Sequence, residues 1–191
     1  MKHKALFILL LTLCIPLSAK VVQLRLELGL NKGVQYMMVD ENAEFLHFEK
    51  PSYVARIEGL EHLQNLKTIV FNSTAFIKDF SFLSSCRQLE TLVIINVSVQ
   101  DVSFVAELPC LKHLVLESCR ITSASFDIEA HAALEYIELS YNSLSKLPHG
   151  TGALRYLNVS YNKIEETAVP VTLNGVLVCA EGNPLQCSVS V

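Results

Sequence analysis

Five ionisable side chains could do acid–base or metal chemistry if one surface gathered them: His47, Glu49, His113, Glu117 and Glu138. General acid–base catalysis needs its partners within hydrogen-bond reach, and a metal needs its ligands around one point. His113 and Glu117 stand four residues apart on one extended segment, roughly 13 Å at ~3.3 Å per residue. That is too far for a proton relay. His47 lies three repeats, in the register set out below, from His113, so the two cannot share a metal. No HExxH, GxSxG, phosphate-cradling glycine loop or paired CxxC occurs. The expectation is therefore a protein that is not an enzyme, with no cofactor and no metal. Among the cysteines, Cys86 and Cys119 fall on core positions and read as buried free thiols. Cys179 and Cys187 flank a Gly-Asn-Pro turn and could close a disulfide in an oxidising compartment.

What positions such side chains is a repeat. Leu134-Glu-Tyr-Ile137-Glu-Leu139-Ser-Tyr-Asn142-Ser-Leu144 is followed by Leu154-Arg-Tyr-Leu157-Asn-Val159-Ser-Tyr-Asn162-Lys-Ile164. Further copies start at Leu66, Leu89 and Leu111, so five firm repeats are spaced 23, 22, 23 and 20 residues apart. Degenerate copies flank them from Ala43 (Leu46, Phe48, Tyr53) and Gly175 (Val178, Ala180, Asn183, Leu185). Within each copy, two apolar positions two residues apart project from one face of a short strand. The Asn position can satisfy backbone groups where the chain leaves that strand. Asn142 and Asn162 fit the role, while Thr74, Val97 and Cys119 are weaker substitutes. Phe80, Leu83, Cys86 and Val102, Val105, Leu108 have the three-to-four spacing of helical turns on the other side. Ile57, Leu60 and Leu63 continue that side of the first copy.

This register resembles the leucine-rich repeat. The resemblance implies an α/β solenoid with a curved parallel sheet on the concave face and short helical or irregular convex segments. Lys78-Asp79-Phe80 and Gln100-Asp101-Val102 look like the Ile-x-Asp-Ile turn of internalin-type bacterial repeats, and the chain as a whole resembles exported bacterial leucine-rich-repeat proteins, internalin-like and spirochaetal. Two copies carry the turn. Family members of this kind usually bind proteins, often on the concave face.

The ends bound the setting. Met1-Lys-His-Lys4, the apolar run Ala5–Ile15 and Pro16-Leu17-Ser18-Ala19 predict a signal peptide at 1–19, cleaved after Ala19. The apolar run is shorter than the ~20 residues of a spanning helix. Leu11-Thr12-Leu13-Cys14 loosely mimics a lipidation box, but Leu13 is bulky where a small residue is usual, which disfavours a lipid anchor at Cys14. Export to the periplasm, the cell envelope or the medium is expected. Without residues 1–19 the chain has 13 Lys and Arg against 19 Asp and Glu, a formal charge of −6. An acidic chain with no basic patch argues against nucleic acid. Val22, Leu24, Leu26, Leu28 and Leu30 alternate before Asn31-Lys32-Gly33, and Val34–Val39 can return. Residues 20–42 thus read as an N-terminal β-hairpin cap, and 43–191 as the repeat domain.

Alternation then fixes the residues that face outward from the concave strands. Three columns result, beginning Phe45, His47 and Glu49 and advancing one repeat at a time. Val70, Val93, Ile95 and Val115 form an apolar patch, bordered by Phe45, His113, Tyr136, Glu138 and Tyr156. The core does not need these side chains, and exposed apolar patches mark interaction sites. Burying the four aliphatics gives roughly 6–12 kcal/mol against an association cost of about 4–15 kcal/mol. The tyrosines would have to contribute. The expected role is binding of a host or envelope protein. The alternatives are a self-associating structural envelope protein and a carrier of an apolar small molecule.

Overall fold

The computed structural model describes residues 20–49, 53–99, 101–124, 126–165, 172–173 and 175–184. The leader at 1–19, Cys14, Leu185 and Cys187 lie outside the described residues, and with them the Cys179–Cys187 bridge.

Apolar residues at period two make the strands of one long sheet: β3 (Phe45–Glu49), β5 (Thr68–Asn72), β6 (Thr91–Ile95), β7 (His113–Glu117), β8 (Tyr136–Glu138), β9 (Tyr156–Asn158) and β11 (Val176–Cys179). These seven run parallel in that order, and the short β10 (Thr172–Leu173) pairs antiparallel beyond β11. Each inward pair fills the core: Ile69 and Phe71, Leu92 and Ile94, Leu114 and Leu116 are sealed from solvent. Burial of each such side chain is worth about 1.5–3 kcal/mol. Phe48, Phe71, Phe80 and Phe104 form a continuous row of ring contacts with centroids 5.3–5.6 Å apart, Phe48 stacked on Phe71, Phe71 edge-on to Phe80 and Phe80 tilted against Phe104.

The return path uses 3₁₀ turns. They span Leu60–His62, Ser81–Ser85, Ser103–Glu107 and Ile128–Ala130, and they bury Leu60, Leu83, Phe104, Val105 and Ile128. Asp79 and Asp101 start two of them by accepting from the backbone N–H and the hydroxyl of Ser81 and Ser103 at 2.7–2.9 Å. This is the turn singled out in the sequence. A third copy exists at Phe126-Asp127-Ile128, where the Asp127 carboxylate accepts from Glu129 N–H at 3.0 Å.

The buried asparagines tie neighbouring repeats together. Asn142 Nδ2 donates to the carbonyls of Leu116, Leu139 and Ser140, while Oδ1 accepts from Cys119 and Ile121 N–H. Asn162 and Asn183 repeat the arrangement one and two steps on. At the substituted position, the Cys119 thiol donates to the Ile94 and Glu117 carbonyls at 3.2 Å. Burial pushes that thiol up to about 12, so it stays protonated and able to donate.

At the N-terminus β1 (Val21–Leu28) and β2 (Gly33–Asp40) form the hairpin, with Leu28 opposite Gly33. Leu24 and Leu26 turn inward onto the core, whereas Leu30 falls in the turn and is exposed. The hairpin gains a third strand, β4 (Val54–Glu58), which pairs antiparallel with β1. Its Val54 and Ile57 are buried. Periodicity placed Ile57 on the convex side; the structure puts it in the cap sheet, order β2-β1-β4.

Candidate functional site

Strand pairing carries two outward columns along all seven strands without slippage and the third as far as β7, beyond which its Ser140 and Ser160 are buried. Phe45, Thr68, Thr91, His113, Tyr136, Tyr156 and Leu177 are direct neighbours in sequence of repeats. So are His47, Val70, Val93, Val115, Glu138, Asn158 and Cys179. In the third column Glu49, Asn72, Ile95 and Glu117 are paired. Adjacent members are therefore about 4.8 Å apart.

Val70, Val93 and Val115 stand side by side, and each is half-buried by its neighbours, as is Ile95. Phe45 is exposed at the edge of the sheet, edge-on to His47 with centroids 6.3 Å apart. The sheet does not bring Phe45 to the tyrosines, because Thr68, Thr91 and His113 intervene in its column. His113 sits between two roles. Its Nδ1 lies 3.4 Å from the Thr91 hydroxyl, and its ring meets Tyr136 edge-on. Tyr136 and Tyr156 stack with centroids 4.6 Å apart and planes 8° from parallel.

Glu138 is engaged inside the molecule. One carboxylate oxygen accepts from Ser140 N–H and the other from Asn158 Nδ2, both at 2.8 Å. Beside it, burial first and the Glu138 charge second raise the Tyr136 phenol above its ordinary range. Burial and then the nearby Cys179 thiol raise Tyr156. Both phenols are thus protonated donors at neutral pH. Nothing in this arrangement aligns a base with a nucleophile.

One feature of this face was not legible from apolar spacing. Ser73, Asn96, Ser118, Tyr141 and Tyr161 share a left-handed backbone with φ 55–56°, all at the position just before the Asn position. Their N–H groups donate to the carbonyls of Ile95, Glu117, Ser140, Ser160 and Glu181 in the next repeat, adding a rung to the sheet. Asparagine accepts this conformation more readily than a bulky residue. Tyr141 and Tyr161 adopt it nonetheless, 53% and 42% exposed. Their rings stack at 4.6 Å and 5°. Gly182, at the equivalent position one repeat on, shares the left-handed backbone with φ 72°, and a Cβ there would strike the Tyr161 ring at 2.5 Å. The signal in the sequence was the Ser-Tyr-Asn triplet, in which a tyrosine recurs where a small polar residue suffices.

Comparison with solved structures decides the architecture. An internalin from Listeria monocytogenes (inlF) is similar with a TM-score of 0.59 and 21% identity, covering 78% of this chain and 52% of that one. Internalin C2 (inlC2) from Listeria monocytogenes has a TM-score of 0.65 and 23% identity, covering 76% and 66%. The fold is a leucine-rich repeat. This leucine-rich-repeat chain spans about half to two thirds of the length of those internalins. No family model and no curated protein matches the sequence. Among the described residues of this solenoid no cluster of His, Cys, Asp and Glu could hold a metal ion. No helix among them is long and apolar enough to cross a membrane.

Proposed function

We propose that this chain is an exported, non-enzymatic protein-binding module whose concave sheet grips a host or cell-envelope protein. The observation that carries the reading is the unbroken row Val70, Val93, Val115 with Ile95 beside it, on the face of the sheet away from the core. The core is filled without them, and Val93 and Ile95 make β6 apolar on both faces, as in strands covered on both sides. Tyr136 and Tyr156, with Tyr141 and Tyr161 at the rim, add rigid amphipathic area next to the row, the kind of side chain that anchors protein interfaces. Phe45 and His113 border the same surface. The internalin likeness supports the reading at the level of architecture only.

Two shallow open depressions among the described residues lie away from this row. One of about 390 Å³ is lined by Glu61, Leu63, Ser85 and Cys86, and one of about 350 Å³ by Ala75, Asn96, Ser118 and Arg120. An extended open surface fits a protein partner better than a small apolar ligand, which needs a concave pocket.

The test is capture by the purified protein from host-matrix and bacterial-envelope extracts, compared with the double variant Val93→Glu plus Ile95→Lys. Both substitutions leave the core untouched, and Ile95→Lys places an ammonium beside Glu117, its neighbour on β7. Capture should weaken at least about tenfold, or ~1.4 kcal/mol, with melting unchanged. Equal capture by the folded double variant would overturn the concave assignment.

A further inference from the structure

Among the described residues β2 has a strand on one side only, because the cap sheet runs β2-β1-β4. Its eight residues, Gly33 to Asp40, form an edge with no proline, no bulge toward β1 and no charge before Asp40. Natural edges are usually blunted by such devices. The opposite edge of the same sheet is blunted: β4 is shorter, carries Arg56 and Glu58, and has a register shift against β1.

The backbone of β2 has a defined open side. Glu41 N–H donates to the Lys20 carbonyl at 2.9 Å, and Val39, Met37 and Gln35 stand opposite Val22, Leu24 and Leu26. By the alternation of antiparallel pairs, the odd residues of β2 turn their N–H and C=O to β1. Val34, Tyr36 and Met38 turn theirs outward, whereas the Asp40 carbonyl accepts from Ala43 N–H at 3.0 Å. The side chains of the first three also lie on the exposed face, 43%, 57% and 52% open to solvent.

We propose that the occupant of this edge is a second copy of the chain, its β2 antiparallel to the first about a twofold axis at Tyr36. That register sets Tyr36 against Tyr36 and Val34 against Met38, with about six backbone hydrogen bonds from the three pairs. It also brings Lys32 opposite Asp40 at both ends. Lys32 has no carboxylate partner among the described residues. Its ammonium rests over the Tyr53 ring, 3.7 Å from the centroid, on a stem long enough to turn. Among the described residues the Asp40 carboxylate accepts from Asn42 N–H alone, through one oxygen, leaving the other for a cation. Shifting the axis to Gln35 would oppose Met38 to Lys32, and shifting it to Met37 would oppose Asp40 to Val34. Only the Tyr36 axis keeps both ion pairs and the apolar pairs. Strand-on-strand contact lies below the ~1,200 Å² of a standard stable interface, so the pair is reversible. It is independent of the concave face.

Sedimentation velocity of the purified protein, from ~10 μM to ~500 μM, tests this. The expected result is a concentration-dependent monomer–dimer equilibrium. Lys32→Glu alone and Asp40→Lys alone should each weaken the dimer at least about tenfold, since each opposes like charges. An equimolar mixture of the two should restore it to within about threefold, because every end pair is again of opposite sign. Restoration itself shows that both variants fold. Tyr36→Lys, on a side chain outside the core, should be monomeric with unchanged melting, while Val93→Glu plus Ile95→Lys should dimerise normally. A wild type monomeric throughout, a dimer indifferent to the charge variants, or a mixture that fails to pair would each overturn the proposal.

Discussion

At the scale of single residues, the polar groups inside this core are more telling than the leucines. Asn142 holds five backbone groups drawn from two repeats, and every one of them is buried. Asn142→Ala strands several of these at once, and the expected loss is about 3 kcal/mol in urea unfolding. Thr74 occupies the same position in the first firm repeat, yet its hydroxyl has no partner among the described residues. Thr74→Val should therefore stay within about 0.5 kcal/mol of wild type. Equal costs at the two sites would show that the ladder is not what holds the turns. His131 is the other exception. It stands where Leu63, Cys86 and Leu108 stand in earlier repeats, is buried against Phe126, and among the described residues neither ring nitrogen has a partner in good hydrogen-bond geometry, the Leu108 backbone exerting only a weaker pull. Burial pushes its pKa down, outweighing the pull of the Asp127 carboxylate. With the folded pKa below the unfolded ~6.5, stability is complete above pH 6.5 and falls as pH drops through that value. Urea midpoints at pH 7 and pH 5 should diverge in wild type and converge in His131→Leu. A pH dependence that survives the substitution would assign it to other groups.

At the scale of elements, the inward apolar pairs were legible because the solenoid repeats one environment, and even the degenerate copies from Ala43 and Gly175 fell into register as β3 and β11. The hairpin turn was legible from Asn31-Lys32-Gly33, since Leu30, Asn31 and Gly33 all adopt positive φ there. Other elements were not. β4 looks like a continuation of the first convex segment because Ile57 and Leu60 keep a spacing of three. Its partner, β1, lies some thirty residues upstream, and no local pattern reports that pairing. The third Asp turn was missed because the sequence has Ser125 where Ile77 and Val99 open the other two copies, so the apolar start of the motif is lacking. The left-handed rung escaped for a different reason: apolar periodicity is silent about φ, and a tyrosine at φ 55° is contrary to intrinsic preference. The outward columns could be assigned by alternation, but the ring-on-ring geometry of Tyr136 with Tyr156 and Tyr141 with Tyr161 depends on side-chain rotamers, about which alternation is silent.

At the scale of the whole molecule, each strand of the long sheet touches only the strand before and the strand after, so stability is a sum of repeat and nearest-neighbour terms. Such an array unfolds as one unit only while every interface is strong enough to couple its neighbours. Leu114 is one of the two inward residues of β7, fully buried between Leu92 and Ile137. Leu114→Ala removes about 2–5 kcal/mol at the middle of the array and weakens two interfaces at once. Leu46→Ala, on the terminal strand β3, weakens only one. Hydrogen exchange should therefore separate the variants. With Leu114→Ala, β8 and β9 should lose protection before β5 and β6, and the urea transition should broaden with a smaller slope. With Leu46→Ala, the loss should stay near β3 and the slope should hold. Uniform loss of protection in the Leu114→Ala variant, with a slope equal to wild type, would mean that the cap sheet and the phenylalanine stack bind the array into one cooperative unit.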